Sequence, residues 1–403
     1  MKKIIVLVLV FALVLSFGAC TKSDVAPAVE AVEEMAEEVV EEAAEEMVEE
    51  EAMFESPIKI GVLSPTSGDP SVHGTPVKQA ALLAADEINA AGGIGGAVIE
   101  IVHYDTKGDA GEAVNAYNRL RDQDGVIAIV GGTYSGATLG FKDLAVADGM
   151  PVLSPTATNP DVTLNAPNVF RACYTDAYQG AVAATFAIDT LGSVKPGILR
   201  GVGNAYAEGL ADNFIATCEA AGVEYVEEGY TAESKDLAAQ LTKMKDAGVD
   251  SLFIPDYANV VGPILAQVKN MGLEVPCLGG DGWDGIEADY AVEAEGFFFA
   301  NHYAQDDESP IVQGFIANYS DIYGEKPNAL GALAYDAVYL MAAAIETAGS
   351  VEADAIVSAL AASSLSGVTG DISFDANGDP IKSVAMITVK DGKLALHSKV
   401  AAK

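Results

Sequence analysis

Two turns rich in hydroxyl side chains are the part of this sequence best suited to binding chemistry. The first is the run G-T-Y-S-G at 132–136, which contains Ser135, and the second is S-P-T-A-T-N-P at 154–160. Each turn follows an apolar segment that is typical of a strand. Because the turns that follow parallel strands meet at one edge of an open sheet, we expect these two to lie side by side. Hydroxyls and free backbone N–H groups at one point suit a carboxylate.

The elements around these turns predict a doubly wound α/β fold. Strands predicted at 58–63, 98–104 and 126–130 alternate with helices predicted at 74–91 and 110–121. This alternation is typical of a parallel sheet that is covered by helices on both faces.

The same pattern restarts at Thr175, which with Asp176 is a candidate helix cap. We therefore predict a second lobe of the same α/β architecture. Its strands are predicted at 196–201, 225–230, 251–255, 277–280 and 296–300. Three later helices are predicted at 309–323, 331–347 and 353–362, and two later strands at 370–374 and 383–389.

The composition predicts a large folded body and excludes several partners. The chain has 403 residues, half of them apolar, which suffices for two or three domains. Its net charge of −37 argues against nucleic acid or an anionic membrane surface as the partner; solubility is the simpler interpretation of this charge. None of the four cysteines has metal-ligand spacing. Apart from Cys20 three remain, Cys173, Cys218 and Cys277. They allow at most one disulfide bridge, and buried free thiols are the default expectation.

The first 20 residues are predicted to be a targeting signal. Lys2 and Lys3 precede an apolar run at 4–17 that is too short to span a membrane and that ends in L-S-F-G-A-C. Small residues followed by cysteine resemble a bacterial lipoprotein signal, which implies that Cys20 is the lipidated first residue of the mature chain. An ordinary secretory signal is the alternative, and either predicts export. No later apolar stretch is expected to be long enough to span a bilayer.

Residues 21–56 are predicted to be an acidic, low-complexity tether. Glutamate pairs recur every four residues from Glu33 to Glu50. A four-residue repeat drifts by about 40° around a helix each time, so it builds no fixed apolar face, and like charges four residues apart oppose the helix. We interpret the segment as a solvated spacer, with an interaction module as the alternative.

From about residue 57 to residue 400 the chain resembles the leucine/isoleucine/valine-binding proteins of bacterial ABC importers. The resemblance rests on the helix that ends I-N-A-A-G-G-I, the strand that runs into Tyr104, the S-P-T-A-T-N-P run with its upstream serine, and the later restart. It implies a type I periplasmic binding protein, in which two Rossmann-like lobes joined by a three-strand hinge close over a ligand. The implied lobes are 57–174 with 303–382, and 175–302 with 383–403.

The resemblance also implies a set of ligand-binding residues. Ser135 and Thr158 are implied to bind a carboxylate, Thr158 also an ammonium group, and Thr156 to contribute main-chain groups. Asp281, in G-G-D-G-W-D-G, is implied to bind the ammonium group, where relatives usually carry the longer glutamate. The other implied cleft residues are Tyr206, Tyr257 and, near the ligand side chain, His73. Trp283 is a candidate either for the cleft mouth or for the core.

These features predict capture of a small amino acid, branched-chain or similar, outside the cytoplasm for an ABC importer. Burying either charge of a zwitterion costs on the order of several kcal/mol unless a protein group compensates for it. Here one lobe would supply the groups for the carboxylate and the other lobe the group for the ammonium. The family implies permease and ATPase partners. We expect a monomer without cofactor, metal or nucleic acid. A ligand-sensing receptor component of the same fold, or an amide or short peptide as ligand, stays open.

An enzyme is not expected from this sequence. Ser135 does not lie in a nucleophile elbow, because the glycine spacing around it is wrong, and the chain has neither a P-loop nor a complete G-x-G-x-x-G motif. The four histidines are scattered without the spacing of metal ligands.

Overall fold

The structure, a computed structural model, describes residues 53–400. The predicted signal, Cys20 and almost all of the predicted tether lie outside the described residues.

The first third of the described chain forms a five-stranded parallel sheet in the order β2-β1-β3-β4-β5. Strand β1 is almost entirely buried, as expected for a parallel strand with helices on both faces. The strands are β1 Ile58–Ser64, β2 Ile99–Asp105, β3 Ala128–Gly131, β4 Val152–Ser154 and β5 Val169–Arg171. The helices between them are α1 Ser71–Ala90, α2 Ala110–Arg119, extended by a π-helical turn at Leu120–Asp124, and α3 Ser135–Asp148.

The second sheet has seven strands in the order β14-β13-β10-β9-β8-β6-β7. Five of them are parallel, and the last two strands of the chain add to one side in antiparallel orientation. The parallel strands are β6 Pro196–Gly201, β7 Val226–Tyr230, β8 Ser251–Phe253, β9 Cys277–Gly279 and β10 Phe298–Asn301, and the antiparallel ones are β13 Val384–Lys390 and β14 Lys393–Val400.

The remaining elements within residues 172–383 are eight α-helices, a 3₁₀-helical turn at Asp281–Trp283 and one small hairpin. The helices are α4 Asp176–Thr185, extended by a π-helical turn at Phe186–Thr190, α5 Ala205–Ala221, α6 Ala238–Ala247, α7 Ala258–Asn270, α8 Glu287–Ala294, α9 Pro310–Tyr323, α10 Ala329–Ala348 and α11 Ala353–Ala361. The hairpin consists of β11 Ser364–Gly367 and β12 Gly370–Ser373.

The chain passes between the two sheets three times, at 172–175, 302–309 and 374–383. Helix α10 and the hairpin pack into the core of the first sheet although they follow the strands of the second. This architecture of two doubly wound halves confirms the predicted fold class.

Helix α10 corrects one expectation from the sequence. With 20 residues and a mean hydropathy of 1.4 it is long and apolar enough to cross a membrane, so the expectation that no stretch after the signal reaches this length was wrong. In the described part of the chain 78% of this apolar stretch is buried, and the helix packs against α1. Its composition is that of a helix at the centre of a large core.

Most predicted elements are present within three residues of their predicted ends, and the missed ones are short or atypical. Strand β5 has three residues and contains a buried arginine, Arg171, while β14, at the sheet margin, contains only exposed and half-buried residues. Helix α8 has only eight residues, with a break in helical geometry at Tyr290. None of these segments offers the long periodic pattern on which prediction from sequence depends.

The predicted default for the cysteines is confirmed within the described residues. Cys173, Cys218 and Cys277 are buried and free. Trp283, which the sequence left between cleft and core, is fully buried in the core of the second sheet, where its indole N–H donates to the Ile254 carbonyl oxygen at 2.9 Å.

Candidate functional site

The two hydroxyl-rich turns lie side by side at the carboxyl edge of the first sheet, as predicted. Ser154 Oγ donates to the Gly132 carbonyl at 2.9 Å, and Thr156 Oγ1 donates to the Thr133 carbonyl at 2.6 Å. Ser135 Oγ accepts from the Asn159 backbone N–H at 3.3 Å. Several of the hydroxyls therefore tie the turns together, which fixes the edge but engages part of their hydrogen-bonding capacity.

Helix α3 begins at Ser135, directly after strand β3 and its turn. Tyr134 occupies the N-cap position and makes no side-chain capping bond. The N–H groups of a helix's first turn have no partner within the helix and attract anions. Ser135 is therefore placed at an end of a helix that suits a carboxylate.

The carboxyl edge of the second sheet carries the complementary groups. Asp281 follows β9 and is buried; its Oδ1 accepts from the Tyr206 hydroxyl at 2.8 Å and its Oδ2 from His302 Nε2 at 2.9 Å. Burial acts to raise the pKa of Asp281, but the hydrogen bond and charge interaction with His302 and hydrogen bonds from Gln179 and Tyr206 outweigh it, so that the pKa is lowered. Burial also lowers the pKa of His302. Asp281 is thus held as a carboxylate at neutral pH.

The glycines beside Asp281 allow this close arrangement. A Cβ at Gly280 would lie 2.6 Å from the Tyr206 hydroxyl oxygen and 2.4 Å from Gln179 Oε1, and one at Gly282 would lie 2.9 Å from the same hydroxyl oxygen. The Gly282 N–H donates to the Tyr206 hydroxyl at 2.8 Å. The sequence G-G-D-G therefore brings the Asp281 turn against Tyr206 at distances that side chains would prevent.

Aromatic residues join the two sheet edges. Tyr134 of the first edge stacks on Tyr257 of the second with ring centroids 4.1 Å apart, and Tyr257 stacks on Tyr206 at 4.8 Å. His73, in the first turn of α1, is fully buried; its Nδ1 lies 2.8 Å from the Tyr134 hydroxyl and its Nε2 lies 3.2 Å from the Asp284 carbonyl oxygen. Because a carbonyl can only accept, we assign the proton to Nε2. Burial lowers the pKa of His73 to about 4.

The structure also buries a set of polar side chains of which the sequence analysis singled out only Thr158 as a binding residue. Within the described residues, these buried side-chain atoms have no hydrogen-bond partner of good geometry, although buried polar groups nearly always do. They include Thr133 Oγ1, Thr158 Oγ1, the Tyr174 hydroxyl, both carboxylate oxygens of Asp176, the Gln179 amide and His302 Nδ1.

The sequence pattern gave one indication of a polar helix face, at Asp176 and Gln179. Asp176 was interpreted only as a candidate helix cap, and the structure assigns that role to Thr175, whose Oγ1 accepts from the Tyr178 N–H at 3.3 Å. An acidic residue directly after a cap, followed three positions later by Gln179, places two polar groups on one helix face.

A cavity of about 520 Å³ lies beside this buried region. Tyr134 and Tyr257 line it together with Asn204 and Asp256, so it borders both sheet edges. Ser135, Thr158 and Asp281 do not line it. The aromatic pair therefore lines the cavity, whereas these buried hydroxyl and carboxylate groups do not. Residues 53–400 contain no group of three or more His, Cys, Asp or Glu side chains that could hold a metal ion.

Comparison with known proteins assigns the family. A family model described as periplasmic binding protein matches residues 57–393. The chain belongs to the periplasmic binding protein family. Membership implies export and a family of solute-binding proteins, and it confirms the resemblance drawn from the sequence.

Relatives of this periplasmic binding protein are identical to it at about a third of the aligned positions. The leucine-, isoleucine-, valine-, threonine- and alanine-binding protein of Pseudomonas aeruginosa is 32% identical over 336 residues, covering 81% of this chain and 88% of the relative. A Leu/Ile/Val-binding protein of Rhizobium johnstonii is 33% identical over 309 residues, covering 75% and 83%.

Solved structures of related proteins support the same family assignment. A leucine-binding protein of Thermotoga maritima superposes with a TM-score of 0.82 at 31% identity, covering 86% of this chain and 99% of the other. A branched-chain amino acid transporter substrate-binding protein of Streptococcus pneumoniae, in complex with isoleucine, gives 0.80 at 33% identity, covering 86% and 100%.

Proposed function

We propose that this protein captures a small amino acid, branched-chain or similar, as the extracytoplasmic binding lipoprotein of an ABC importer. The observation that carries the proposal is the opposition of two unlike edges. The first edge carries the Ser135 and Thr158 hydroxyls and the N-terminus of α3, the second carries the ionised Asp281, and the two edges are in contact through Tyr134 and Tyr257. An α-amino acid presents a carboxylate and an ammonium group and so needs both kinds of edge.

In this proposal Ser135 and Thr158 bind the α-carboxylate, with main-chain groups near Thr156, and Asp281 binds the ammonium group. Tyr206 orients Asp281 through its hydroxyl. Tyr257 and His73 lie in the aromatic cluster that joins the edges, where they cover the bound ligand. The relatives named above, which bind leucine, isoleucine and valine, support a small aliphatic side chain.

The remaining parts of the proposal concern capture and location. Lobes 57–174 with 303–382 and 175–302 with 383–403 close about the three crossing segments, because neither edge alone satisfies both charges of the ligand. Lipidated Cys20 anchors the protein at the periplasmic or outer surface of a membrane, and the acidic tether spaces the folded body from it. The binding protein is a monomer that delivers its ligand to a permease and ATPase, and it is not an enzyme.

Calorimetry tests this proposal directly. The protein is unfolded, freed of carried-over ligand, refolded and titrated with each common amino acid, their amides and dipeptides. We expect the tightest binding for a free amino acid with a small apolar side chain. Tighter binding of an amide or a dipeptide would replace the amino acid as ligand, and no binding across the panel would overturn the function but leave the family assignment intact.

A further inference from the structure

Arg171 is a fully buried arginine that contacts the second hydroxyl-rich turn, 154–160. It is the last residue of strand β5 and is 0% exposed. All five of its N–H groups donate within the protein, which is the full capacity of a guanidinium group. Because burying a cation is costly unless it is paired and its donors are satisfied, the side chain is held in one geometry. Its acceptors are Asp379 Oδ1, Thr163 Oγ1 and the carbonyls of Ala157, Asn159 and Pro160.

Two of these carbonyls lie on either side of Thr158. The Ala157 and Asn159 carbonyls both accept from Arg171 Nη1, at 2.9 and 2.8 Å. The peptide bond before Thr158 is trans, and in a planar trans peptide the C=O and the N–H point in opposite directions. The Thr158 N–H therefore points away from Arg171, and among the described residues it donates to no backbone carbonyl. Arg171 thus fixes the orientation of a donor beside the Thr158 hydroxyl.

The acidic partner of Arg171 comes from the third crossing segment, 374–383. Asp379 ends the turn D-A-N-G-D in this segment, and its Oδ1 accepts from Arg171 Nε at 2.5 Å. Thr163 Oγ1 accepts from Arg171 Nη2 at 2.8 Å and donates to the same carboxylate oxygen at 2.9 Å. A carboxylate of the crossing segment therefore orients the guanidinium group that holds the hydroxyl-rich turn.

The backbone of the D-A-N-G-D turn is also fitted to strand β5. Asp375 Oδ1 accepts from the Asp379 N–H at 3.0 Å, which closes the turn, and the Arg171 N–H donates to the Gly378 carbonyl at 3.1 Å. Gly378 has a φ of 80°, and a Cβ there would lie 2.9 Å from the Val169 carbonyl oxygen. Glycine is therefore required for this close approach. The position of Asp379 relative to β5 is set by backbone contacts as well as by its ion pair.

Asn159 extends the network from Arg171 to the two sheet edges. Its carbonyl accepts from Arg171, its N–H donates to Ser135 Oγ at 3.3 Å, and its side-chain amide donates to the Ala205 carbonyl at 2.8 Å. Ser135 is the first residue of α3, and Ala205 is the first residue of α5. A displacement of Arg171 would therefore shift a residue that contacts helices of both halves of the fold.

We propose that Arg171 is a positioning residue for carboxylate recognition: held by Asp379 of the third crossing segment, it fixes the turn that presents Thr158 to the ligand. This inference rests on the proposed function and deepens it, because it connects a segment about which the lobes close with the carboxylate half of the site. Arg171 does not touch the ligand and acts through the peptides on either side of Thr158. Lysine would keep the charge but lacks the planar fork that serves five acceptors.

A substitution that conserves the charge, measured with two ligands, tests this role. Wild type and Arg171→Lys are titrated by calorimetry with L-leucine and with L-leucinol, in which a CH₂OH group replaces the carboxylate; competition titration covers weak binding. If another amino acid binds wild type more tightly, that amino acid and its amino alcohol form the pair.

We expect Arg171→Lys to bind the amino acid about tenfold more weakly, the loss typical of one hydrogen bond to a charged group, and the amino alcohol less than about threefold more weakly. The matched control is Arg121→Lys, which changes an arginine that is paired with Asp122 and Asp148. This control should alter the affinity for neither ligand.

Denaturant unfolding of each variant establishes that the titrated protein is folded. Equal weakening of both ligands would assign Arg171 a purely structural role and overturn the inference, as would unchanged binding of the amino acid. Should Arg171→Lys not fold, Asp379→Asn takes its place, because it keeps the size of the side chain and removes the charge that orients the guanidinium group. The same selective loss is expected, and equal effects on both ligands would again overturn the inference.

The two proposals fail in different ways. A wild-type protein that binds no amino acid would overturn the proposed function and the role of Arg171 together. A wild-type protein that binds an amino acid, with variants that show no selective loss, would overturn the role of Arg171 alone.

Discussion

The two sheet edges that meet in this protein are built on opposite principles. The first edge is neutral, and its hydroxyls at Ser154, Thr156 and Ser135 hydrogen-bond within the edge itself. The second edge carries two buried carboxyl groups, of which Asp281 is held ionised, whereas burial raises the pKa of Asp284 to about 7. The hydrogen bonds of the first edge are thus largely satisfied without a ligand. The second edge contains a buried carboxylate whose desolvation cost a bound cation would offset.

This difference between the edges predicts which substitutions should weaken ligand binding most. Removing a hydroxyl whose hydrogen bond lies within the protein, or that a backbone N–H can replace, should change the affinity for the ligand little. Removing one of a pair of opposite charges in a buried site leaves the other uncompensated and costs far more. Substitutions at the second edge should therefore weaken ligand binding more than substitutions at the first.

The largest effect is expected from Asp281→Ala. The ligand ammonium group would lose a carboxylate, and Tyr206 and His302 would lose their shared acceptor, so we expect amino acid affinity to fall by more than about 2 kcal/mol. Calorimetry measures the loss. Asp289→Ala, an exposed change on the following helix, is the control, and an unchanged affinity for Asp281→Ala would remove Asp281 from the site.

The aromatic cluster between the edges should make stability depend on pH through His73. Its pKa is lowered from 6.5 to about 4 by burial, so the unfolded chain binds the proton more readily than the folded one. The stability associated with neutral His73 is fully present above pH 6.5 and is lost as the pH falls towards 4. We expect a loss of about 2 kcal/mol between pH 7 and pH 5 from this residue.

Comparison of wild type with His73→Gln isolates the contribution of His73 from those of His103 and His302, whose pKa values are also lowered by burial. Denaturant titrations of both proteins across this pH range give the difference. If the two stability curves stay parallel from pH 7 to pH 5, His73 does not join the edges in its neutral form.

The first edge should give a smaller effect, and Thr158 measures it. Thr158→Val keeps the shape of the side chain and removes a hydroxyl that has no hydrogen-bond partner of good geometry within the described residues. We expect amino acid affinity to fall by about 1 kcal/mol, the value of one hydrogen bond. Thr158→Ser, which keeps the hydroxyl, should bind nearly as well as wild type; a larger loss for Thr158→Val than for Asp281→Ala would reverse the comparison of the edges.

The sequence predicted one edge better than the other, and the reason is physical. Ser135, Thr156 and Thr158 lie in turns directly after strands, so local pattern and parallel-sheet geometry suffice to place them together. Asp281 was located only through family resemblance. Asp176 and Gln179 lie on a helix, and nothing in their local sequence indicates that packing of α4 against α5 buries them beside Thr158 and Asp281. That property depends on contacts between distant segments, as does the short strand β5.

The smallest expected effect comes from the tether, which tests whether the two edges alone define the site. A protein that begins at Met53 keeps both edges and every residue assigned to binding. Because the proposed ligand carries no net charge, the many acids of the tether should exert little net force on it even at low ionic strength. We expect the affinity to stay within about twofold of the full mature protein at both low and physiological salt. A large loss at both salt concentrations would mean that the tether contributes directly to binding, and the site could then no longer be described by two opposed edges.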